Sequence, residues 1–506
     1  MTNPLFDALF APHLGKDTAF LHLLDGSTLS HDAFLRMAAQ IGGVLDAIGL
    51  NAGDRLALQA AKSPEALAVY AACVQKGVIF LPLNTAYTAH ELAYFIENSE
   101  AKLVVCDPAK EADIAKITAR TNARLMTLAA DGSGTLMQAA AKQPETTQTV
   151  ARSADDLAAF LYTSGTTGRS KGAMLTQDNL LSNSEVLKDY WGFTESDVLL
   201  HALPIFHTHG LFVASNVMLL AGGAMVFMPA FDPDTILAHM PRATSMMGVP
   251  TFYTRLLDHD GFTREAAAHM RLFISGSAPM LAETHEQFEA LTGQRILERY
   301  GMTETNMNTS NPLIGTRKAG TVGFPLPGVE LKVCDPVTGA ELAQGEIGVL
   351  EVRGRNVFKG YWQMPEKTRE ELREDGFFIT GDLGLLDEDG YVQIVGRGKD
   401  LIISGGYNIY PKELELVIDA QPGVKESAVI GVPHPDFGES PVAVVVSDGD
   451  GPDMAQIMAA CNVELARFKH PRRIIVIDAL PRNTMGKVQK NALREDYKTL
   501  FTPKES

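Results

Sequence analysis

The chain has 506 residues, of which 45% are hydrophobic and 21% charged, and this composition excludes a disordered or fibrous protein. A prior of about 150 residues per domain predicts roughly three structural units. Lysine and arginine number 44 against 61 aspartates and glutamates, so the net charge of −17 argues against a broad binding surface for nucleic acid or anionic membranes.

Residues 1–150 alternate between helical and strand patterns. Apolar residues recur with the helical period after Ser30, which is the expected N-cap, and Gly49 is the expected stop. A second helix is predicted from Pro64 to near Gly77. Because strands alternate with helices of this length, we expect parallel sheets covered by helices. The predicted strands here and further along the chain are 55–58, 78–81, 103–106, 157–162, 225–228 and 272–275.

One uncharged stretch, Leu211 to Phe231, is long enough to cross a bilayer. Polar residues, glycines and a proline interrupt it, so it favours a buried helix followed by a buried strand. No secretory signal is recognisable at the N-terminus. The cysteines form no CxxC pair, which fits a reducing compartment, and a soluble cytoplasmic protein is therefore expected. They are Cys73, Cys106, Cys334 and Cys461.

The texture of the sequence changes at about residue 320. Glycine and proline become frequent, and segments such as Gly348–Val352 alternate apolar and polar residues, which indicates a small antiparallel β-subdomain. A compact α+β unit of about a hundred residues is predicted after Gly396. Its expected elements are a helix around Leu414–Ile418, strands at 428–430 and 442–446, a helix at 454–465 and a strand at 474–477.

The strongest local signal for chemistry is the segment Tyr162–Gly172. It combines three glycines, five serine and threonine hydroxyls and Lys171, and these groups allow backbone N–H donors, hydroxyls and an ammonium to surround phosphate oxygens. The spacing differs from that of GxxxxGK[ST], because Gly172 follows the lysine where that pattern has serine or threonine. From these residues alone, a solvated hairpin remains the alternative.

This segment resembles the phosphate-binding loop of the acyl-adenylate-forming superfamily, which includes acyl-CoA synthetases, peptide-synthetase adenylation domains and firefly-type luciferases. Four further segments resemble the family's motifs in the family's order, and the matches run from about residue 20 to about residue 495. Five ordered motifs together are specific, where each alone would be weak. The further segments are Tyr300–Thr305, Thr380–Asp382, Gly396–Asp400 and Pro481–Lys487.

The resemblance implies an α/β fold in which a large N-terminal domain of helix-covered sheets carries a small β-subdomain and is followed by a mobile C-terminal α+β domain. The expected AMP-binding domain is 1–398, with the β-subdomain at about 320–398. The expected C-terminal domain is 399–506 and carries the catalytic lysine. Lys399 matches the hinge position, where a large dihedral change must be absorbed; a surface lysine is the alternative.

The resemblance also implies roles toward ATP and Mg²⁺. A carboxylate that attacks the α-phosphate meets another anion, so fixed cations and Mg²⁺ are needed. The expected magnesium ligands are Glu304 and Thr166, and the expected catalytic residues are Lys487, Glu304, Thr303 and His207. The expected nucleotide-binding residues are Thr163, Ser164, Gly165, Thr166, Thr167, Gly168, Lys171, Ser277, Ala278, Pro279, Glu298, Tyr300, Gly301, Met302, Asp382 and Arg397. Lys490, close to the catalytic lysine, is expected to be solvated.

Coenzyme A is the expected thiol acceptor. A carrier protein is the alternative acceptor, but the family usually fuses a carrier domain, and this chain ends soon after Lys487. The resemblance implies that Ser404, Gly405 and Gly406 guide the thiol. The expected partners are thus small molecules, with no nucleic acid and no membrane, and the protein is expected to be a monomer or a homodimer.

Two arginines distinguish the segments that should line the acyl pocket. Arg255 and Arg299 are unusual for a ligase of plain fatty acids, whose pocket should be apolar, but suit a second carboxylate held in a bidentate fork. These segments, with His207 as a further substrate contact, resemble those of malonyl-CoA synthetases, which implies malonate and admits methylmalonate. An internal ion pair, for Arg299 with Glu298, is the alternative. Arg271 is expected to be structural.

Other functions stay open from the sequence. Within the same class, the acid could be another short or branched carboxylate. A kinase or ATPase that releases ADP is the rival from another class, and the mismatch at Gly172 argues against it. A non-catalytic binding protein with the same fold is the third interpretation, which the presence of Lys487, Glu304 and Asp382 opposes.

Overall fold

The chain divides into two units in the computed structural model, which describes residues 2–163, 170–277, 280, 282–335, 338–397, 402–409, 411–447, 451–481 and 488–502. One unit comprises Met1–Thr85, Ile96–Leu161 and Gly172–Gly396. The other comprises Ala86–Phe95, Tyr162–Lys171 and Arg397–Ser506. We call them the large unit and the small unit.

The elements up to residue 163 alternate as the sequence predicts. They are α1 (Pro4–Leu9), β1 (Ala19–His22), β2 (Thr28–Ser30), α2 (His31–Ala47), β3 (Arg55–Gln59), α3 (Pro64–Lys76), β4 (Ile79–Pro82), α4 (Ala89–Ser99), β5 (Leu103–Cys106), α5 (Glu111–Thr121), β6 (Arg124–Thr127), α6 (Thr135–Ala140) and β7 (Leu157–Thr163).

The same rhythm continues through the middle of the chain. The elements are β8 (Lys171–Thr176), α7 (Gln177–Tyr190), β9 (Val198–His201), a π-helix (His209–Ser215), α8 (Asn216–Ala221), β10 (Ala224–Phe227), α9 (Pro233–His239), β11 (Ser245–Gly248), α10 (Pro250–Leu257), α11 (Arg264–Ala267), β12 (Leu272–Ser275), α12 (Ala282–Thr292), β13 (Leu297–Met302) and β14 (Asn306–Ser310).

Strands dominate the last third of the chain. The elements are β15 (Phe324–Pro325), β16 (Val329–Cys334), β17 (Gly348–Gly354), α13 (Pro365–Glu371), β18 (Phe378–Leu386), β19 (Val392–Arg397), β20 (Ile402–Ser404), β21 (Tyr407–Ile409), α14 (Pro411–Asp419), β22 (Val424–His434), β23 (Gly438–Ser447), α15 (Met454–Glu464), β24 (Arg473–Ile477) and α16 (Lys490–Tyr497).

Two sheets built mainly from parallel strands form the frame of the large unit. One has six strands in the order β6-β5-β3-β4-β7-β8, and the other has nine in the order β15-β14-β13-β12-β11-β9-β10-β1-β2. In the nine-stranded sheet, six strands run parallel: β1, β9, β10, β11, β12 and β13. The strands β2, β14 and β15 are added antiparallel at its edges. The prediction of helix-covered parallel sheets is confirmed.

Local sequence signals fix the ends of the first long helices. The Ser30 side chain accepts a hydrogen bond from Ala33 N at the start of α2, and Ser63 does the same for α3. Gly77 ends α3 with a left-handed backbone. Such caps depend on residues within one turn, which is why the sequence could predict them.

The uncharged stretch 211–231 forms helical turns followed by the buried strand β10, as predicted. Within the described residues, no helix is both long and apolar enough to cross a membrane.

The β-rich and α+β regions also appear. Strands β16 to β19 form a four-stranded sheet in the large unit, and β20 to β24 form one sheet in the small unit. Residues of β23 alternate between two cores: Ala443 and Val445 face a cluster with α14 and α15, whereas Val442 and Val444 face a cluster with Leu493 of α16. Helices therefore cover both faces of the sheet, and the predicted fold class is confirmed.

Two stacked histidines lie in the core of the large unit. The rings of His13 and His31 are 4.3 Å apart, and Phe20 stacks on His31 at 4.7 Å. Burial, with a smaller contribution from His13, lowers the pKa of His31 to about 4. His31 is therefore neutral in the folded protein, although it takes up a proton in the unfolded chain near its ordinary pKa of 6.5.

This difference predicts an acid-dependent loss of stability. Between pH 6.5 and about 4 the unfolded state binds the extra proton, so the free energy of unfolding falls as the pH falls through that window. His31→Leu removes the group. The free energy of unfolding of wild type minus that of the variant should therefore fall by about 2 kcal/mol from about pH 7.5 to about pH 5. Urea unfolding at the two pH values measures this. A difference that does not change with pH would contradict it.

Candidate active site

Four parallel strands end at one edge of the nine-stranded sheet. The last residues of β9, β11, β12 and β13 are His201, Gly248, Ser275 and Met302. Ligands of open α/β sheets bind outside the carboxyl ends of the strands, because the connecting loops converge there. The side chains at this edge therefore form the candidate site.

Arg299 on β13 is the principal charged group at this edge. Its side chain is buried with 3% of its surface exposed, and its Nε and Nη2 atoms have no hydrogen-bond partner within the described residues. The guanidinium packs onto Gly276, where a Cβ would lie 2.4 Å from Arg299 Cζ. Burial lowers the pKa of Arg299 to about 9, so the group stays cationic at neutral pH. A buried cation in this state fits an anionic ligand group.

Two histidines lie close enough to Arg299 for their ionisation to depend on it. Burial and the charge of Arg299 lower the pKa of His207 to about 4, and the same causes lower the pKa of His209 well below its ordinary value. His209 Nδ1 lies 3.2 Å from Ser277 Oγ, and its Nε2 has no partner in the described part of the chain. Both imidazoles are therefore neutral, and each can hydrogen-bond a ligand without adding charge.

His209 was not predicted from the sequence. Its side chain becomes part of the site because the turn after β9 opens into a π-helix, which begins at His209 itself. Such helices are rare and are frequent at functional sites. The sequence offers one signal for His209, its position two residues after His207, and this spacing does not show that both histidines approach Arg299.

The alternative that Arg299 pairs with Glu298 is wrong. Neighbouring residues of a strand point to opposite faces, and Glu298 lies 3.1 Å from His285 Nδ1 on α12. Burial raises the pKa of Glu298, and the histidine opposes that effect. The assignment of Glu298 to the nucleotide stays a prediction.

The other two arginines differ sharply from Arg299. Arg255 is exposed on α10, whose buried side chains are Tyr253 and Leu256, so its assignment to the acyl pocket receives no support from the structure. Arg271 donates to both carboxylate oxygens of Asp197, at 2.6 and 2.9 Å, and is structural as predicted.

Glu304 lies in the turn after β13 and is 5% exposed. The Tyr361 hydroxyl lies 3.1 Å from Glu304 Oε1 and 2.6 Å from Glu371 Oε2, and one hydroxyl proton can serve only one of the two carboxylates at a time. Carboxylate oxygens are the ligands that Mg²⁺ prefers, so Glu304 stays a predicted magnesium ligand. Thr303, in the same turn, is half-buried.

Asp382 on β18 contacts Tyr300, which belongs to a different predicted motif. The Tyr300 hydroxyl donates a hydrogen bond to Asp382 Oδ2 at 2.5 Å, and both residues are buried. Tyr300 thus orients a carboxylate that the sequence assigns to the ribose, and Gly301 and Met302 follow on the same strand. The ribose assignment itself stays a prediction.

The small unit carries other predicted residues. Ser404 ends β20, and Gly405 with Gly406 forms the turn to β21, where Gly405 N donates to Phe437 O at 2.9 Å. Lys490 is not solvated, contrary to the prediction. Its Nζ lies 2.5 Å from Glu415 Oε1, and its side chain is 16% exposed, because α14 supplies a carboxylate that is distant in sequence.

Part of the predicted site lies outside the described residues. The flanks of the phosphate-binding segment are described: Thr163 ends β7, and the buried Lys171 begins β8. The side chain of Arg397 is not described, although its backbone ends β19. The predicted residues outside the description are Ser164, Gly165, Thr166, Thr167, Gly168, Ala278, Pro279, Lys399 and Lys487.

Two protein families match the sequence. The family described as AMP-binding enzyme matches residues 11–362. The family described as AMP-binding enzyme C-terminal domain matches residues 413–487.

Relatives of known structure or function cover nearly the whole chain. The structure of ATP-bound MatB from Rhodopseudomonas palustris is 60% identical, with a TM-score of 0.79 over 99% of this chain and 100% of that one. A malonyl-CoA ligase in a ternary product complex with methylmalonyl-CoA and AMP is 35% identical, with a TM-score of 0.81 over 95% of this chain and 100% of that one. The malonate–CoA ligase of Arabidopsis thaliana is 33% identical over 519 residues, which cover 95% of this chain and 85% of that protein.

The Nε and Nη2 atoms of Arg299, which lack a partner among the described residues, predict an unusual effect on stability. Arg299→Met keeps the length of the side chain and removes a desolvated charge, so the free energy of unfolding of the ligand-free protein should stay unchanged or rise by about 1–4 kcal/mol. Urea unfolding measures the change.

Arg271→Met is the matched control. It leaves Asp197, which is 4% exposed, without its bidentate partner, and should destabilise the protein by about 3 kcal/mol. If Arg299→Met were as destabilising as Arg271→Met, Arg299 would have a structural partner and would not be held ready for a ligand.

Proposed function

The chain belongs to the AMP-binding enzyme family, and on that premise we propose that it is an AMP-forming malonate–CoA ligase. ATP, malonate and coenzyme A give malonyl-CoA, AMP and diphosphate through malonyl-AMP, and methylmalonate is a second substrate. The observation that carries the proposal is the buried Arg299, whose Nε and Nη2 have no partner within the described residues.

Malonate differs from a simple acid in having a carboxylate that does not react. That carboxylate stays charged in the pocket, and its burial without a partner would cost too much free energy. Arg299 offers it a bidentate fork, and His209 Nε2 offers a further hydrogen bond. The guanidinium and the second carboxylate of the substrate require each other, because an acid with only one carboxylate would leave the guanidinium desolvated and unpaired.

The first half-reaction joins two anions. The malonate carboxylate attacks the α-phosphate of ATP and displaces diphosphate, so positive charge must oppose the repulsion between them. Thr303 hydrogen-bonds the α-phosphate, Asp382 accepts from the ribose hydroxyls, and Lys487 supplies a point charge at the reacting oxygens. Glu304 and Thr166 would hold Mg²⁺, and the bound ion would neutralise phosphate charge.

The second half-reaction transfers the malonyl group to a thiol. The coenzyme A sulfur attacks the acyl carbonyl of malonyl-AMP and displaces AMP. We assign Ser404, Gly405 and Gly406 to the path of the thiol, since the family resemblance implies this role and a turn with two glycines leaves room for a pantetheine chain. The four buried cysteines agree with a reducing, cytoplasmic setting.

A panel of carboxylates tests this function directly. Wild-type enzyme with ATP, Mg²⁺ and coenzyme A should release AMP and diphosphate, never ADP, and should use malonate far better than acetate or propionate, although these smaller acids would fit. Chromatography of nucleotides and thioesters measures both. ADP as the product would refute the adenylation chemistry, and equal use of propionate would remove the support for malonate.

Arg299 should control this selectivity. Arg299→Met should lower kcat/KM for malonate by about thirty- to several-thousandfold, which corresponds to a loss of about 2–5 kcal/mol of transition-state stabilisation. The kcat/KM for propionate should fall much less. Steady-state kinetics on both acids measures the gap.

Arg255→Met is the control, because Arg255 is equally cationic but exposed. It should leave the ratio of the two acids unchanged. A similar loss for both acids in Arg299→Met, or a collapse of selectivity in Arg255→Met, would contradict the assignment of the pocket arginine.

A further inference from the structure

Lys62 follows β3 and reaches across to the last residue of β9. Its Nζ lies 2.8 Å from His201 Nδ1 and 2.7 Å from His201 O, and it lies 4.4 Å from the centre of the Phe227 ring. Both hydrogen-bond partners of the ammonium within the described residues therefore belong to one histidine. Burial lowers the pKa of Lys62 well below its ordinary value, so holding it there costs free energy.

His201 links Lys62 to the loop of the acyl pocket through a hydrogen bond of its own. Its Nε2 lies 2.8 Å from Gly210 O, and a carbonyl oxygen can only accept, so Nε2 carries the proton. In the neutral ring Nδ1 is then an acceptor, and Lys62 is its donor. Burial and the charge of Lys62 lower the pKa of His201 well below its ordinary value, which keeps the ring neutral.

The position of the Gly210 carbonyl affects the positions of the pocket histidines. It follows His209 directly in the π-helix, and a Cβ at Gly210 would lie 2.1 Å from Pro204 O. The two ends of the segment Pro204–Gly210 therefore touch, and a shift of the Gly210 carbonyl must move His207 and His209 between them. Ser215 Oγ donates to the same carbonyl at 2.9 Å.

We propose that Lys62 is a positioning residue for substrate selection: by donating to His201 Nδ1 it fixes the Gly210 carbonyl, and through it the two histidines that face Arg299. The proposal rests on the proposed function, because it takes this pocket as the acyl site. Lys62 itself touches no substrate.

Lys62→Met tests the proposal, since it keeps the aliphatic length over Phe227 and removes the donors. The expected result is a rise of about tenfold or more in the KM for malonate, with the KM for ATP changed by less than about twofold. Equal rises in both constants, or no rise for malonate, would overturn the proposal.

Lys76→Met is the matched control. Lys76 is a buried lysine of the large unit and ends α3, whereas Lys62 is half-buried and lies two residues before that helix, so the two are about 20 Å apart along its axis. Its Nζ pairs with Asp46 at 2.7 Å. Lys76→Met should lower thermal stability and leave the KM for malonate unchanged; a matching rise in KM would show that Lys62→Met reports only general loosening of the fold.

A double-mutant cycle shows whether the effect runs through His201. His201→Leu should raise the KM for malonate as Lys62→Met does, and the double variant should be no worse than either single variant. His201→Gln retains an acceptor and a donor and should restore part of the affinity. Additive effects, or no rescue by glutamine, would overturn the proposal.

Failure of the malonate assignment would be recognised separately. If the carboxylate panel selects another acid, the same variants are compared with that acid, and a selective rise in its KM still supports the role of Lys62. A panel that selects malonate together with an unselective Lys62→Met variant refutes the positioning role alone.

Discussion

Among the described residues, two nitrogens of Arg299 have no partner although the side chain is almost fully buried, and much of the surrounding structure depends on this constraint. A desolvated guanidinium opposes folding, so the cores of the two sheets must offset its cost. In return, under the proposed function, the pocket would bind an anion with little loss from its own hydration, since the cation is already desolvated. Stability and recognition are thus coupled at one side chain.

Selectivity depends equally on what is kept away from this cation. The nearest carboxylate in sequence, Glu298, is turned to the opposite face of β13 and contacts His285. The histidines on the pocket side are neutral, so they neither repel the guanidinium nor bind an anion strongly on their own. The guanidinium packs onto the backbone of Gly276, where a larger residue would place its Cβ in the space that the guanidinium occupies. Charge in the pocket is therefore concentrated in one group of fixed geometry.

Much of the fold could be predicted because it depends on local patterns. The strand Leu103–Cys106 and the cap at Ser30 are determined by residues a few positions apart. The site was harder, because burial depends on how elements pack. Arg255 and Arg299 looked equivalent in the sequence, yet α10 exposes one and β13 buries the other.

The same limit explains the missed contacts. The pairing of Lys490 with Glu415 joins residues 75 positions apart, and that of Lys62 with His201 joins residues 139 positions apart. No period or motif in a single sequence connects such positions. His209 was missed for a related reason, since a π-helix has no distinctive composition.

The π-helix after β9 also determines how the length of this segment can vary in evolution. A π-turn contains one residue more than an α-turn, so deletion of a single residue from His209–Ser215 would convert it to ordinary α-helix. Everything on one side of the deletion would then rotate by about 100° and shift by about 1.5 Å relative to the other side. Ligases that share this pocket should therefore tolerate substitutions in the segment far better than insertions or deletions, and an alignment gap there would indicate a different acid.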